Sequence, residues 1–158
     1  MTNEANKKYL DEDTFYYRRN LANHLQFDCN YFNIVTYSQA SYICNGIGAY
    51  WMPEKIRKAI NALCPDLQPV ADNHDIGFAI GEETKEAFTA INKAFRTNGF
   101  KIAKHLHPWY SWKRYRTMRQ AIAFSRLCQT EIGWKTYVNG VRKYKEQMEN
   151  EKLAEISP

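Results

Sequence analysis

The 158-residue sequence predicts a single, mainly α-helical domain. Apolar residues recur at helical spacing in several segments, and proline or glycine stands where these patterns begin or end. Strict alternation of apolar and polar residues, which would indicate strands, is poor. Neither an internal repeat nor a long Pro/Gly/Ser linker divides the chain. We therefore expect one body over residues 15–144, a polar N-terminal arm at 1–14 and a charged helical tail at 145–158.

The first clear helix of the body follows a segment of mixed character. Residues 30–50 are rich in tyrosine and β-branched residues, a composition that allows one short hairpin. The helix then begins near Pro53, which suits a first helical turn, and ends near Cys64 and Pro65. Its apolar face, at i, i+4 and i+7, consists of Ile56, Ile60 and Leu63.

Three further helices are predicted after Pro65. The first begins at Pro69 and ends at Gly81, because glycine commonly follows the last helical residue. The second has acidic first turns and ends at Asn98 and Gly99. Its buried face consists of Phe88, Ile91 and Phe95. The third, over residues 109–132, is basic and aromatic, so the body ends in a basic helical extension.

Positive charge is concentrated in one third of the chain. Residues 93–145 hold thirteen Lys or Arg and one acid, Glu131, a net charge of +12 in a chain of net charge +5. Such a segment favours phosphate groups, in nucleic acid or in anionic lipid headgroups. Residues 101–115 therefore have three interpretations, namely a membrane contact, a nucleic-acid contact, or a surface helix whose aromatic side chains pack inward. The candidate membrane or phosphate contacts are Trp109, Trp112, Lys113, Arg114, Arg116 and Arg119.

Several function classes are disfavoured by what the sequence lacks. No apolar run approaches the 18 or so residues of a membrane span, and the polar first residues do not resemble a signal peptide. The four cysteines have no CxxC spacing, which argues against a zinc knuckle or a thioredoxin-type site, and we expect mostly buried thiols. No aspartate follows Asp75, so the His74-Asp75 pair does not fit the metal-dependent HD phosphohydrolases.

Two features could carry chemistry. The loop at 45–49 (NGIGA) contains two glycines, which let successive backbone groups point at a bound ion. His74 and Asp75 are neighbours on a predicted helix, so their side chains point about 100° apart and can enter one cavity from two directions. The alternative is a histidine that packs by the core beside a solvated aspartate.

Four segments together resemble the phospholipase A2-like superfamily, especially its short phage and bacterial members. They are residues 44–49 (CNGIGA), residues 71–78 (ADNHDIGF), Gly81, and residues 91–95 (INKAF). The family has a glycine-containing metal loop, a helix bearing His-Asp and ended by glycine, and a second helix with a histidine partner. The resemblance implies a core of two packed antiparallel helices preceded by the metal loop.

The resemblance also implies calcium-dependent hydrolysis of membrane phospholipid esters. Catalytic roles would fall to His74 as the general base, to Asn92 as the partner of its far ring nitrogen, and to Asp75. Calcium prefers six to eight oxygen ligands, and here it would take the Asp75 carboxylate, backbone carbonyls of the loop, and water. The implied metal ligands are Cys44, Gly46, Gly48 and Asp75.

Three departures from the family pattern bear on activity. The two cysteines that the family joins in a disulfide are replaced by Ile47 and Ala71, and a usual tyrosine by Phe78. Asn92 stands where the family has aspartate, so the histidine partner carries no charge to stabilise an imidazolium. The alternative function is therefore a catalytically inactive binding or virion structural protein that uses its basic aromatic surface.

The expected partners follow from the same resemblance. They are a phospholipid membrane surface, virion proteins and, with less support, nucleic acid. A phage or prophage origin is implied, and without an export signal the expected location is the bacterial host cytoplasm or the virion.

Overall fold

The structure of the protein is a computed structural model that describes residues 9–44 and 53–156. These residues form seven α-helices and two short 3-10 turns, at Tyr31–Asn33 and Pro65–Leu67. The helices are α1 (Glu12–His24), α2 (Tyr37–Ile43), α3 (Glu54–Leu63), α4 (Gln68–Ile80), α5 (Lys85–Leu106), α6 (Trp112–Cys128) and α7 (Glu131–Ile156). No strand occurs in the described ranges, so the mainly α class is confirmed.

The hairpin allowed over residues 30–50 is wrong for residues 30–44, which form a 3-10 turn and α2. Helix α2 begins with a capping box, in which Thr36 and Gln39 each bond the backbone N–H of the other. This arrangement satisfies two backbone donors that the first turn would leave unpaired. Helix α1 begins inside the predicted polar arm, where Asp11 accepts a hydrogen bond from Thr14 N at 2.8 Å and Leu10 is buried.

The predicted bounds of α3 and α4 agree with the structure to within two residues. Gly81 ends α4 as expected, but its φ of −65° is open to any residue. Glycine is needed there for a different reason. A Cβ at Gly81 would lie 2.5 Å from the Tyr137 hydroxyl oxygen, so the glycine lets α7 pack closely against the end of α4.

The predicted end of α5 at Asn98 and Gly99 is wrong, because the helix continues to Leu106. Asn98 is fully buried, and its side chain pairs with the backbone of Asp28 through bonds of 2.8 and 2.9 Å. A Cβ at Gly99 would lie 2.5 Å from the Cβ of Ala121. Both residues therefore serve contacts with other parts of the chain rather than a helix end.

The basic segment forms two helices rather than the one predicted over 109–132. Helix α6 ends at Cys128, the chain turns at Gln129 and Thr130, and α7 runs from Glu131 into the predicted tail. Helix α6 packs along α5, whereas α7 packs against α4. The α4–α5 pair is thus covered on two sides.

Helices α4 and α5 are antiparallel. Phe78, near the end of α4, contacts Phe88, near the start of α5. His74, one turn earlier on α4, contacts Phe95, two turns later on α5. The short connection at residues 81–84 favours this arrangement. The expected pair of packed antiparallel helices is therefore present.

Two further properties of the described residues bear on function. All four cysteines are free thiols; Cys44 and Cys64 are buried, Cys128 is half-buried, and Cys29 is exposed. None of the helices in the described ranges combines the length and the apolar character needed to cross a bilayer.

Candidate functional site

His74 and Asn92 meet between the two antiparallel helices. The Nε2 atom of His74 on α4 lies 2.9 Å from the Oδ1 atom of Asn92 on α5. Asn92 is fully buried, and His74 exposes 7% of its surface. The structure thus brings together two of the three residues to which the resemblance assigns catalytic roles.

A second hydrogen bond of Asn92 fixes the proton on the histidine ring. The Nδ2 amide group of Asn92 donates to the Phe88 carbonyl at 3.0 Å, one helical turn earlier. Its Oδ1 atom is therefore the acceptor facing His74, so Nε2 carries the ring hydrogen and donates it. In the neutral ring, Nδ1 then holds the lone pair that can accept a proton.

Aromatic side chains surround the His74 ring and keep it uncharged. The Phe78 ring centroid lies 4.1 Å from that of His74, and Phe95 meets the same ring edge-on at 5.3 Å. Burial lowers the pKa of His74 from its ordinary 6.5 to about 4, and the Asn92 hydrogen bond opposes this shift. At neutral pH the ring is therefore an unprotonated base.

The same contacts would serve a histidine that only packs in the core, so the surroundings of Asp75 matter. Asp75 is half-buried on α4. Burial, followed by the charges of Asp72 and Asp75, raises the pKa of the Cys44 thiol, and burial with the Asp75 charge raises that of Cys128 to about 12. The Asp75 charge therefore acts on thiols at the ends of both α2 and α6.

Cys44 is the last described residue before the predicted metal loop. It follows α2 directly, and its thiol contacts the Asp72 carbonyl oxygen on α4 at 3.7 Å. The chain thus enters residues 45–52 from a point one helical turn from Asp75. Gly46 and Gly48, the two predicted glycine ligands, lie outside the described residues.

The described residues contain one carboxylate of the implied calcium site. Within them no group of three or more His, Cys, Asp or Glu side chains could hold a metal ion. Asp75 carries the kind of oxygen ligand that calcium prefers. The remaining implied protein ligands are backbone carbonyl oxygens, so the site depends on the loop that follows Cys44.

A buried ion pair beside this region was not anticipated from the sequence. Arg18 on α1 donates to the Oδ2 atom of Asp72, which is fully buried on α4. Burial outweighs the opposing effect of Arg18 and raises the pKa of Asp72 to about 6. The only signal in the sequence is an aspartate that follows the apolar pair Val70 and Ala71.

The aromatic residues of the basic segment are exposed. Trp109, Tyr110, Trp112 and Tyr115 expose 73%, 72%, 71% and 53% of their surfaces. The interpretation in which these four side chains pack inward is therefore wrong. Of the predicted cationic contacts, Lys113, Arg116 and Arg119 are exposed and Arg114 is half-buried.

Helix α6 carries a groove on the side away from α5. The helix packs on α5 through Thr117, Ala121 and Ser125, at i, i+4 and i+8, and Ser125 donates to the Asn92 carbonyl at 2.7 Å. The groove is shallow and largely open, and it is lined by Trp112, Arg116, Arg119, Gln120, Ile122, Ala123 and Arg126. Sequence reasoning missed Arg126, although it lies at i+7 from Arg119 and therefore on the same helix face.

Comparison of the chain with protein-family models, with curated proteins and with solved structures gives no match.

Proposed function

We propose that the protein is a calcium-dependent, phospholipase A2-like hydrolase of phospholipid esters. The observation that carries this proposal is the buried His74–Asn92 pair, whose orientation leaves Nδ1 as the basic atom, beside the half-buried carboxylate of Asp75. The contact of Cys44, the last residue before the predicted metal loop, with the same stretch of α4 supports it.

His74 would act as the general base. Its Nδ1 atom would take a proton from a water molecule as that water attacks the ester carbonyl, so no serine or cysteine nucleophile is required. Asn92 is a positioning residue, because it holds Nε2 and does not touch the reacting atoms. Asp75 and the carbonyls of Cys44, Gly46 and Gly48 would hold a calcium ion, which when bound would supply positive charge for the developing oxyanion.

One observation favours a second function. Asn92 is neutral and completely buried, so the imidazolium that forms during proton transfer would have no carboxylate partner there. Rate acceleration by His74 would then be small. The second candidate is a non-hydrolytic member of the same fold that binds membranes or virion components.

The deciding experiment is fatty-acid release from vesicles of mixed phosphatidylglycerol and phosphatidylcholine, with calcium or with chelator. The wild-type protein should release fatty acid only with calcium, and His74→Gln should abolish release. His105→Gln, at an exposed histidine on α5, is the matched control and should keep full activity. If the folded wild-type protein binds vesicles without calcium-dependent release, the hydrolase proposal fails and the second candidate takes its place.

A further inference from the structure

The exposed surface formed by Trp109, Tyr110 and helix α6 carries charge of one sign. Helix α6 carries five Lys or Arg residues and no acid. Three of the arginines, Arg116, Arg119 and Arg126, line one groove. A surface with this charge attracts anions, and its arginines, for which no ion pair occurs among the described residues, suit phosphate groups, which guanidinium binds through paired hydrogen bonds.

The aromatic residues are collected at one end of this surface. Trp109 and Tyr110 lie in the turn before α6, and Trp112 is the first residue of the helix. Each exposes more than two thirds of its surface, an unusual state for side chains this large. The arginines of the groove follow behind them along the helix.

We propose that this surface docks the protein onto an anionic phospholipid bilayer. The tryptophan and tyrosine rings enter the headgroup region, and the groove arginines bind lipid phosphates. That the bilayer is also the substrate rests on the proposed function. Binding to the bilayer requires neither calcium nor His74.

The distribution of the aromatic residues favours a bilayer over nucleic acid. Tryptophan and tyrosine prefer the membrane–water interface, and basic residues beside them gain from anionic headgroups. A single-stranded nucleic acid would instead need rings spaced along the groove for successive bases to stack. Trp112 is the aromatic residue among the described groove-lining side chains, and it lies at one end.

The test is co-sedimentation of the full chain with two kinds of vesicle in the presence of chelator. One kind contains phosphatidylglycerol and phosphatidylcholine, and the other phosphatidylcholine alone. We expect clear binding to the first, weakened by added salt, and little to the second. Arg116→Ala/Arg119→Ala should weaken binding roughly 10- to 30-fold, and Trp109→Ala/Trp112→Ala roughly tenfold.

The matched control is Lys93→Ala/Lys135→Ala, which removes two exposed charges from α5 and α7. It should change binding less than threefold, since these residues lie outside the docking surface. Equal binding to both vesicles, or equal losses in the control and arginine variants, would overturn the proposal. So would a single-stranded oligonucleotide that competes fully with the vesicles at equal phosphate concentration.

The outcome is separable from that of the hydrolase proposal. His74→Gln should bind vesicles like the wild type, because His74 is not one of the residues of the docking surface. Binding without fatty-acid release would leave docking intact and end the hydrolase proposal. Hydrolysis of a monomeric short-chain phospholipid without vesicle binding would support the hydrolase proposal and end the docking proposal.

Discussion

His74 and Asn92 form a hydrogen bond between two antiparallel helices, with Nε2 of the ring 2.9 Å from the amide oxygen Oδ1. An amide can fix the tautomer of a histidine as a carboxylate does. It does not stabilise the protonated ring by charge, so burial determines the pKa of His74 and lowers it to about 4.

Asn92→Asp should raise the pKa of His74 from about 4 toward 6.5 or above. A carboxylate at hydrogen-bond distance favours the imidazolium, whereas the amide favours neither form strongly. The measurement is an NMR titration of the histidine ring protons in chelator. If His74 is a catalytic base, the same variant should release fatty acid faster at neutral pH.

The substitution also removes the amide group that donates to the Phe88 carbonyl. We expect a loss of about 1–3 kcal/mol in the free energy of unfolding, because the new carboxylate is fully buried and one of its oxygens faces the Phe88 carbonyl oxygen without a donor between them. Asn92→Leu, which removes both hydrogen bonds without adding charge, should be destabilised while the pKa of His74 stays low. An unchanged titration of His74 in Asn92→Asp would contradict the prediction.

The protonation of His74 should make the protein less stable in mild acid. The unfolded chain protonates this histidine near pH 6.5, the folded chain only near pH 4, so the unfolded state binds more protons between these values. The free energy of unfolding should therefore fall by about 3 kcal/mol as pH is lowered through this window. Urea denaturation between pH 7 and 4, in chelator, measures it.

Asp72 changes the free energy of unfolding in the opposite direction over part of this pH range. Its pKa is raised to about 6 in the folded state, so the folded state binds more protons between pH 3.8 and 6, and stability from this group rises as pH falls. The difference between wild type and His74→Gln isolates the histidine, since Asp72 is present in both. Identical pH dependence of the two proteins would show that His74 is not the group responsible.

The predictable helices are those whose signals are local. Pro53 and Pro69 with the apolar spacing behind them define the starts of α3 and α4. The end of α5 was mispredicted because Asn98 and Gly99 resemble a local helix stop. Their actual partners, Asp28 and Ala121, lie far away in sequence, and no local pattern reveals that Asn98 is buried against a distant backbone.

The candidate site likewise combines a contact that could be predicted from the sequence with one that could not. The contact between His74 and Asn92 was expected from the resemblance, because two helices joined by a short turn bring these positions together. The ion pair of Arg18 with Asp72 joins residues 54 positions apart, and neither residue is unusual in its own helix. Gly46 and Gly48 lie outside the described residues, so their role as metal ligands remains a prediction.

Calcium should stabilise the folded protein through Asp75. A ligand that binds only the folded state adds about 2.7 kcal/mol at 100 times its Kd, and this appears as a rise in Tm. Asp75→Asn should remove most of the rise, because the amide replaces the only charged ligand in the proposed set. Glu131→Gln, at an exposed acid on α7, should keep it. Equal rises in both variants would place calcium elsewhere.

Removal of Arg18 should be more damaging than removal of the whole ion pair. Arg18→Met leaves the Asp72 carboxylate buried without its partner, at a cost of about 3–5 kcal/mol. In Arg18→Met/Asp72→Leu no charge is left, and most of that loss should be recovered. The other Asp72 oxygen, Oδ1, already lacks a hydrogen-bond partner among the described residues, so the pair is incompletely compensated.

The neighbouring arginine is the control for this pair. Arg19 is half-buried on α1 and donates to Asn33 Oδ1 at 3.1 Å in an exposed contact, so Arg19→Met should cost less than about 1 kcal/mol. Urea denaturation at pH 7 compares the three variants. If the double variant is no more stable than Arg18→Met, the ion pair is a net stabilising element rather than a costly one.

Close packing between α5 and α6 should make Gly99→Ala destabilising, although alanine favours helices by about 1 kcal/mol over glycine. The added Cβ would lie 2.5 Å from the Cβ of Ala121. Each Cβ is fixed in place by its own helix backbone, so neither atom can move away without a shift of the helix. We expect a net loss of about 1–3 kcal/mol in the free energy of unfolding.

The reciprocal change tests whether the contact itself is responsible. Gly99→Ala/Ala121→Gly moves the methyl group from α6 to α5 and restores the space between the helices. It should be more stable than Gly99→Ala alone, even though Ala121→Gly by itself weakens α6 by about 1 kcal/mol. Thermal and urea denaturation of the four proteins give the coupling energy. Additive effects would mean that the two helices separate freely at Gly99, contrary to the packing that places Ser125 of α6 against Asn92.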